Sequence, residues 1–405
     1  MKKIELLAPA GDWSCLKTAV ENGADAVYFG IKSMNMRDKA SNFEISELPV
    51  VMSYLHKHDK KGYLTLNTIF YNRELDKLRV VVSAAKAAGV DAVICWDMAV
   101  FNLAKEAGVP VHISTQASVS NYEAFKFYSD LGAGRIILAR ECSLSDISEI
   151  AGKAGEEGTG CEIEAFVHGA MCVSISGRCF LSAETFGRSG NRGQCLQPCR
   201  RLYRITDVED EENTYILGHD YILSSKDLCS IEILPELIEA GITSFKIEGR
   251  MRPPEYVKTT VSCYRKAIDA IESGYYSMEL AAELKEELAR TYNRGFSKGF
   301  YMGLENDWIS DGPSPGESKE YCGDVINYYK KIGVAEFIIR AGCLNPGDRI
   351  LVYGKKTPAD YCIVEEIQIE HEAVESVEKG QRCGIKLPFV VRPGDKLFRI
   401  VDSKR

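Results

Sequence analysis

The first 250 residues repeat one pattern, in which a short apolar run rich in Val and Ile precedes an amphipathic stretch of helical length. Continuous apolar runs are typical of parallel strands that are buried on both faces. The eight runs are 4–10, 25–31, 62–70, 91–97, 110–118, 135–141, 161–169 and 243–250. Several of the helical stretches end in glycine, as helices commonly do, at Gly23, Gly89, Gly108, Gly132 and Gly241. Eight strands with interposed helices predict an α/β fold, a (β/α)8 TIM-like barrel.

The rest of the chain differs from the barrel pattern. Residues 303–320 are rich in Pro, Gly, Ser and acidic residues, which is typical of a linker. Residues 321–405 alternate apolar and polar positions with period two and contain P-G-D turns, so they predict a small antiparallel β-barrel. We therefore expect a (β/α)8 barrel over 1–302, with a cysteine-rich insertion at 170–220 that directly follows strand seven.

Cysteine usage constrains the cellular compartment. The chain has fourteen cysteines, no signal-peptide pattern at its N-terminus and no long apolar run that could span a membrane. We therefore expect a cytoplasmic protein, because in a reducing cytosol clustered thiols bind metal or do chemistry more often than they form disulfides. Nine cysteines lie mostly in apolar runs and are expected in the core: Cys15, Cys95, Cys142, Cys161, Cys263, Cys322, Cys343, Cys362 and Cys383.

Four cysteines of the insertion, Cys172, Cys179, Cys195 and Cys199, have the spacing C-x6-C-x15-C-x3-C. Four thiolates in one loop-rich segment can ligate zinc or an iron–sulfur cluster. No tight C-x2-C pair of the kind common in structural zinc sites is present, and the surrounding Gly and Arg residues suit a cluster, since N–H groups and positive charge tune it. The pattern favours a cluster, with zinc and unliganded thiols as alternatives. Cys229 could replace one of the four.

Positive charge is concentrated around these cysteines. The whole chain has a formal net charge of −8, but residues 170–206 contain six arginines against one acid, Glu184. An anionic partner should therefore meet the protein near the cysteines. If that partner is a nucleic acid, we expect its phosphates to contact Arg188, Arg192, Arg200 and Arg201.

Polar residues lie at the ends of the predicted strands, where a (β/α)8 barrel has its active-site face. They are Asn67, Gln116, Glu141, His168, Lys246, Glu248 and Arg250, with Lys226 and Asp227 close by in sequence. Alternation places Lys246, Glu248 and Arg250 on one side of their strand. One interpretation is a pocket for a small polyanion, with cations holding its carboxylates, Glu248 or His168 in proton transfer and Gln116 bonding the ligand. The other interpretation is structural. In it Lys246, Glu248 and Arg250 form a salt-bridged support layer, His168 is a core histidine, and Gln116 belongs to a strand-end cap.

A family resemblance is carried by EAFVHGAMCVSISGRCFLS, from Glu164 to Ser182. This segment resembles the signature of the peptidase U32 family, the collagenase-like peptidases. So do LLAPAG, GADAVYFG, GNRGQCLQPCR, SSKDLC and FKIEGRMRPPEYV, which extend the resemblance over the whole barrel. The family name implies proteolysis. Resemblance to other members of the family implies a different reaction, the oxygen-independent hydroxylation of tRNA, ribosomal RNA or quinone precursors. It also implies a [4Fe–4S] cluster on cysteines like these.

In its length and its C-terminal module, the chain most resembles the tRNA branch of this family. That branch implies 5-hydroxyuridine at the wobble position, with prephenate as the small carboxylate-bearing co-substrate that supplies the hydroxyl group. The C-terminal module is then expected to dock RNA or a partner. We expect tRNA as partner and no membrane contact, and leave open a homo-oligomer or a paralogous partner.

Two other functions remain open. One is a collagenase-like peptidase, although no H-E-x-x-H or G-x-S-x-G motif is present and a metal-ligating thiol cannot also be a nucleophile. A dyad of Cys172 with His168 would be needed for that chemistry. The other is an RNA-binding protein with a structural metal site.

Overall fold

The computed structural model describes residues 3–203, 223–303, 309, 310 and 312–403. The strands of the first part are β1 (Glu5–Ala10), β2 (Ala26–Gly30), β3 (Lys61–Thr65), β4 (Ala92–Cys95), β5 (Val111–Ile113), β6 (Arg135–Ile137), β7 (Glu162–Ala170), β8 (Asp227–Cys229), β9 (Ser244–Ile247) and β10 (Phe296–Ser297). The helices are α1 (Trp13–Glu21), α2 (Leu48–Lys57), α3 (Leu75–Ala87), α4 (Met98–Glu106), α5 (Tyr122–Asp130), α6 (Leu144–Glu156), α7 (Leu181–Phe186), α8 (Leu234–Glu239), α9 (Pro254–Glu272) and α10 (Met278–Arg290).

Eight parallel strands form a closed barrel. Strands β1 to β7 pair in chain order, and β9 closes the barrel by pairing in parallel with both β7 and β1. Ser244 of β9 is opposite Glu164 on one side and Glu5 on the other. The predicted TIM-like barrel is therefore confirmed. Six of its eight strands lie within the predicted runs, and β3 and β7 extend one residue beyond theirs, at Lys61 and Ala170. Two short strands were not predicted: β8 pairs antiparallel with the end of β7, and β10 pairs with β8.

Local sequence explains where the barrel helices begin and end. The side chains of Asp12, Asp97, Asn121 and Ser143 accept N–H groups of the first turns of α1, α4, α5 and α6. All five glycines predicted to follow helices have positive φ, between 67° and 101°. Strand residues such as Leu6, Val27 and Ile136 are fully buried because helices cover the outer face of the barrel.

The C-terminal part forms a separate, curled antiparallel sheet with its own apolar core. Its strands are β11 (Glu317–Tyr329), β12 (Val334–Ile339), β13 (Cys343–Leu344), β14 (Arg349–Tyr353), β15 (Asp360–Ile363), β16 (Ile367–Ile369), β17 (Glu372–Val374), β18 (Val377–Glu378), β19 (Arg382–Lys386) and β20 (Lys396–Asp402). Period-two alternation had indicated this antiparallel architecture. The sheet contacts α1 and α9, where Ser14 donates to the Thr357 carbonyl at 3.0 Å and Lys258 pairs with Asp360 at 2.7 Å.

Parts of two predicted segments, 204–220 of the insertion and 304–308 and 311 of the linker, lie outside the described residues. Within the part that is described, no helix is long and apolar enough to cross a bilayer.

Candidate active site

The cysteine-rich insertion leaves the barrel at the end of β7 and is fastened over the mouth by polar contacts. Glu141 accepts from the backbone N–H and the hydroxyl of Ser176, at 2.8 and 3.0 Å. Arg192 pairs with Glu74, with N–O distances of 2.6 and 2.9 Å, and its hydrogen bonds lower the pKa of Glu74 to about 2. Arg200 donates to the Met171 carbonyl and to the Ser225 carbonyl. Three predicted site residues, Glu141, Arg192 and Arg200, thus hold the insertion in place.

A glycine allows the insertion to approach the barrel closely. Gly193 has a φ of +80°, and a Cβ added there would lie 2.1 Å from the Asn35 carbonyl oxygen. Any side chain at this position would therefore meet both steric overlap and an unfavourable backbone conformation. The insertion consequently packs directly on the loop that follows β2.

The four cysteines of the insertion converge. All four are free and half-buried. Burial raises the pKa of the Cys199 thiol, and the charge of Arg200 opposes this shift. Cys172, Cys195 and Cys179 raise the same pKa further, so these three thiols lie within electrostatic range of Cys199. Two sulfurs accept backbone hydrogen bonds at 3.3 Å, Cys179 from the N–H of Leu181 and Cys195 from the N–H of Gln197.

These features fit a thiolate-ligated group, because N–H donors and positive charge stabilise sulfur ligands that carry negative charge. Among the described residues, no three His, Cys, Asp or Glu side chains lie close enough together to hold a single metal ion. Of the nine cysteines expected in the core, six are buried, and Cys161, Cys343 and Cys362 are half-buried.

Lys246 lies deep in the barrel, where its charge is balanced. Its ammonium is 2.8 Å from Glu164, which is fully buried and also pairs with Arg135 at 3.1 Å. Arg135 in turn pairs with Glu5 of β1. Burial lowers the pKa of Lys246, and the Glu164 carboxylate opposes that shift. This arrangement is the salt-bridged support layer that was one of the two interpretations of Lys246.

Glu248 lies higher, at the mouth, between two guanidinium groups. Its carboxylate is 3.2 Å from Arg37 and 3.8 Å from Arg140. Burial would raise the pKa of Glu248, but Arg37 and Arg140 lower it below its ordinary value. The carboxylate is therefore ionised at neutral pH and does not carry an exchangeable proton in this state.

Arg250 is a buried cation held by neutral groups. Its guanidinium donates to Thr65 at 2.6 Å, to Asn42 at 2.7 Å and to Asn35. Burial lowers the pKa of Arg250 to about 10, so the group is still charged at neutral pH. Gly30 makes room for it, since a Cβ there would lie 2.4 Å from a guanidinium nitrogen.

The mouth contains more positive than negative charge. The guanidinium groups of Arg37, Arg140 and Arg250 face one carboxylate, Glu248. In the described part of the chain, the Nε atoms of Arg140 and Arg250 are buried without a hydrogen-bond partner. Unpartnered buried donors of positive charge are costly, and an anionic ligand would satisfy them.

Asn67 and Gln116, two of the predicted site residues, form an amide pair at the mouth. Asn67 donates to the Gln116 side-chain oxygen at 3.3 Å, and Ser114 donates to the same oxygen. The Asn67 oxygen accepts the Met36 N–H at 3.2 Å. Both amides line the cavity, so they are placed to contact a ligand there.

His168 lies outside the mouth, among aromatic rings. It is 2% exposed, and its ring contacts Tyr256, Tyr264 and Phe296. Burial, together with the charge of Arg252, lowers the pKa of His168 to about 3. Its Nδ1 is 3.3 Å from the Tyr264 hydroxyl, which is a position typical of a neutral core histidine.

Cys229 and Asp227 lie in β8, the short strand that pairs with the end of β7. Cys229 is opposite His168 in the sheet, is buried, and has a pKa raised by burial to about 11. Asp227 is buried beside Arg294, with Arg252 at 3.9 Å. Lys226 is half-buried, and its side chain packs against Gly295. None of these three lines the cavity at the mouth.

The cavity itself is small, about 50 Å³, which is room for a few water molecules. Six predicted site residues line it: Asn67, Gln116, Cys172, Lys246, Glu248 and Arg250. Arg37 and Arg140 also line it, and neither was expected from the sequence. The position of Arg140, directly before Glu141 at the end of a predicted strand, could have indicated it. Arg37 lies in a loop that has no such signal.

The two remaining arginines of the predicted RNA contact are exposed. Arg188 follows α7 at the surface, and Arg201 lies with its guanidinium 4.4 Å from the centre of the Phe186 ring. The four arginines therefore divide into two that fasten the insertion, Arg192 and Arg200, and two that face solvent.

Fold and site define a class of protein: a (β/α)8 barrel whose C-terminal mouth is covered by a four-cysteine insertion. A family model for peptidase family U32 matches residues 11–309, and the chain belongs to this family. An uncharacterized protease of Methanocaldococcus jannaschii is 44% identical over 409 residues, 100% of both chains. A collagenase of Porphyromonas gingivalis is 40% identical over 98% of this chain and 97% of its own. The tRNA hydroxylation protein P1 of Bacillus subtilis is 41% identical over 66% of this chain and 64% of its own.

Proposed function

We propose that this protein is an iron–sulfur-dependent, oxygen-independent hydroxylase that forms 5-hydroxyuridine at the wobble position of tRNA. The observation that carries the proposal is the convergence of four free, half-buried thiols above a mouth lined by three guanidinium groups. The likeness to a tRNA hydroxylation protein over 66% of this chain supports the choice of reaction.

Cys172, Cys179, Cys195 and Cys199 would hold a [4Fe–4S] cluster. Backbone N–H groups donate to the sulfurs of Cys179 and Cys195, and the charge of Arg200 acts on Cys199, as suits negatively charged thiolates that ligate a cluster. Zinc on the same thiolates is the alternative. When bound, the cluster would supply electron transfer beside the mouth.

The residues of the mouth would bind and orient the hydroxyl donor, for which prephenate is proposed. Its carboxylates would pair with Arg250 and Arg140, whose Nε atoms are buried and unpartnered among the described residues. Glu248 would keep Arg37 and Arg140 in place, and the amides of Asn67 and Gln116 would accept or donate bonds to a hydroxyl group. Because the cavity is about 50 Å³, prephenate requires a shift of the insertion or of the loop that carries Arg37.

The peptidase alternative is favoured by one observation, the names of two relatives that match nearly the whole chain. The described site gives it little support. Cys172 lines the mouth, whereas His168 is enclosed by aromatic rings outside it. His168 and Cys229 share the Tyr264 hydroxyl, at 3.3 and 3.9 Å, but both are 2% exposed and out of reach of a polypeptide.

The proposal is tested by tRNA nucleoside analysis of a strain that lacks the gene and any paralogue. We expect 5-hydroxyuridine and its derivatives to disappear, and the wild-type gene to restore them. Arg250→Ala should fail to restore them while the purified variant keeps its iron. Cys195→Ala should fail and also lose iron. A normal nucleoside profile in the deletion strain would contradict the proposal.

A further inference from the structure

The insertion has an unusual outer surface close to the cysteines. Phe180 is 79% exposed, more than any other large apolar side chain of the described residues, and Ile175 and Leu202 are 62% and 60% exposed. Phe180 directly follows Cys179 in sequence. Large apolar side chains that are this exposed are typical of interaction sites, and all three belong to the insertion.

The backbone under Phe180 is fixed. The N–H of Cys179 donates to Asn191 at 3.0 Å, and the N–H of Leu181 donates to the Cys179 sulfur at 3.3 Å. The ring therefore projects from a constrained position immediately beside a cysteine of the site. An exposed ring on a rigid support can stack with a flat partner at a small cost in conformational entropy.

Exposed cations lie in the same segment as the ring. Arg178, Arg188 and Arg201 are exposed in the same segment, and Glu184 is its one exposed acid among the described residues from 172 to 203. Arg178 is held by a 3.0 Å bond to Ser118, and Arg201 by the Phe186 ring. Aromatic rings interspersed with arginines are the surface that single-stranded nucleic acids use, since bases stack on the rings and phosphates pair with the cations.

We propose that Phe180 is a stacking platform for an unpaired RNA base next to the nucleotide that enters the barrel mouth. This inference rests on the proposed function and deepens it, because it predicts that the bound segment of the RNA is a loop rather than a duplex. Bases of a paired stem hide their faces, whereas a loop base can lie flat on the ring. The enclosed mouth also requires that the target base leave its stack.

The test measures binding of the iron-loaded protein to an anticodon stem–loop RNA and to a fully paired RNA of equal length. Phe180→Ala should weaken stem–loop binding by about tenfold or more, the range of base–aromatic stacking, and leave duplex binding unchanged. Phe180→Trp should keep the affinity, with indole fluorescence quenched by the stem–loop. The control is Phe127→Ala, which removes a 58% exposed ring from α5 on the outside of the barrel. This variant should bind like wild type.

Several results would overturn the inference. Equal losses for stem–loop and duplex, or no loss for either, would show that the ring does not stack on unpaired bases. Weaker binding of a collagen-like peptide, with RNA binding unchanged, would make the patch a peptide site. If the deletion strain lacks 5-hydroxyuridine but Phe180→Ala binds the stem–loop normally, the stacking proposal fails and the proposed function stands. Iron content and circular dichroism must match wild type in each variant.

Discussion

Replacing Glu164 by Gln should destabilise the barrel strongly. Glu164 is fully buried, and its carboxylate is 2.8 Å from Lys246 and 3.1 Å from Arg135. Gln keeps the size but removes the charge, which leaves the Lys246 ammonium buried without its partner. Breaking a buried ion pair from one side costs about 3–5 kcal/mol, a large part of the roughly 5–15 kcal/mol of a typical domain.

Urea unfolding followed by Trp fluorescence measures this cost, because Trp13 and Trp96 lie in the barrel. The matched control is Glu149→Gln, whose partner Lys153 is 2.8 Å away on the exposed face of α6. It should leave the midpoint nearly unchanged, since exposed pairs contribute little. The double variant Glu164→Gln, Lys246→Met should recover much of the loss, because no buried charge is then unpaired. Equal midpoints for both Gln variants, or losses that add in the double variant, would refute the support-layer interpretation of Lys246.

Three further outcomes are expected. The free energy of unfolding should fall as pH drops from about 6.5, the ordinary pKa of histidine, towards 3, because His168 binds a proton in the unfolded chain but not when it is buried with a pKa of about 3. By pH 5 this one group should cost about 2 kcal/mol of stability. Urea unfolding of His168→Gln should therefore show a weaker dependence of the unfolding free energy on pH. Replacing Arg188 and Arg201 by Ala should lower the salt dependence of tRNA binding by nearly one unit of slope each, whereas Arg192→Ala should instead increase proteolysis of the insertion. Cys229→Ala should leave the iron and sulfide content of anaerobically purified protein unchanged, since this thiol is buried in β8 beside His168.

The fold could be predicted from the sequence because burial on both faces leaves a signal in every strand. Each barrel strand had to be a short continuous apolar run, and five of the helices end at a glycine that the structure shows at positive φ. The unpredicted strands β8 and β10 contain three and two residues, too few for any periodic pattern.

The site could be predicted only in part, because residue type shows what a side chain can bind and not which partner it has. Lys246 and Arg250 lie in one predicted strand run, 243–250, and looked equivalent, but β9 ends at Ile247 and Arg250 lies beyond it. Lys246 is balanced by Glu164, 82 positions away in the chain, and Arg250 is not paired with a carboxylate among the described residues. Arg192 likewise meets Glu74 across 118 positions. Such pairings arise because the barrel closes and the insertion folds over its mouth. Local sequence patterns therefore do not predict them.

Hydroxylation of tRNA by this barrel, with its four-cysteine insertion, is tested most directly in vitro. The iron-loaded protein is incubated, without oxygen, with unmodified tRNA and prephenate, and 5-hydroxyuridine is quantified by mass spectrometry. We predict 5-hydroxyuridine at the wobble position, dependent on prephenate and absent with Cys195→Ala. Iron-loaded protein that forms no 5-hydroxyuridine, yet cleaves a collagen-like peptide in a manner lost in Cys172→Ser, would contradict it.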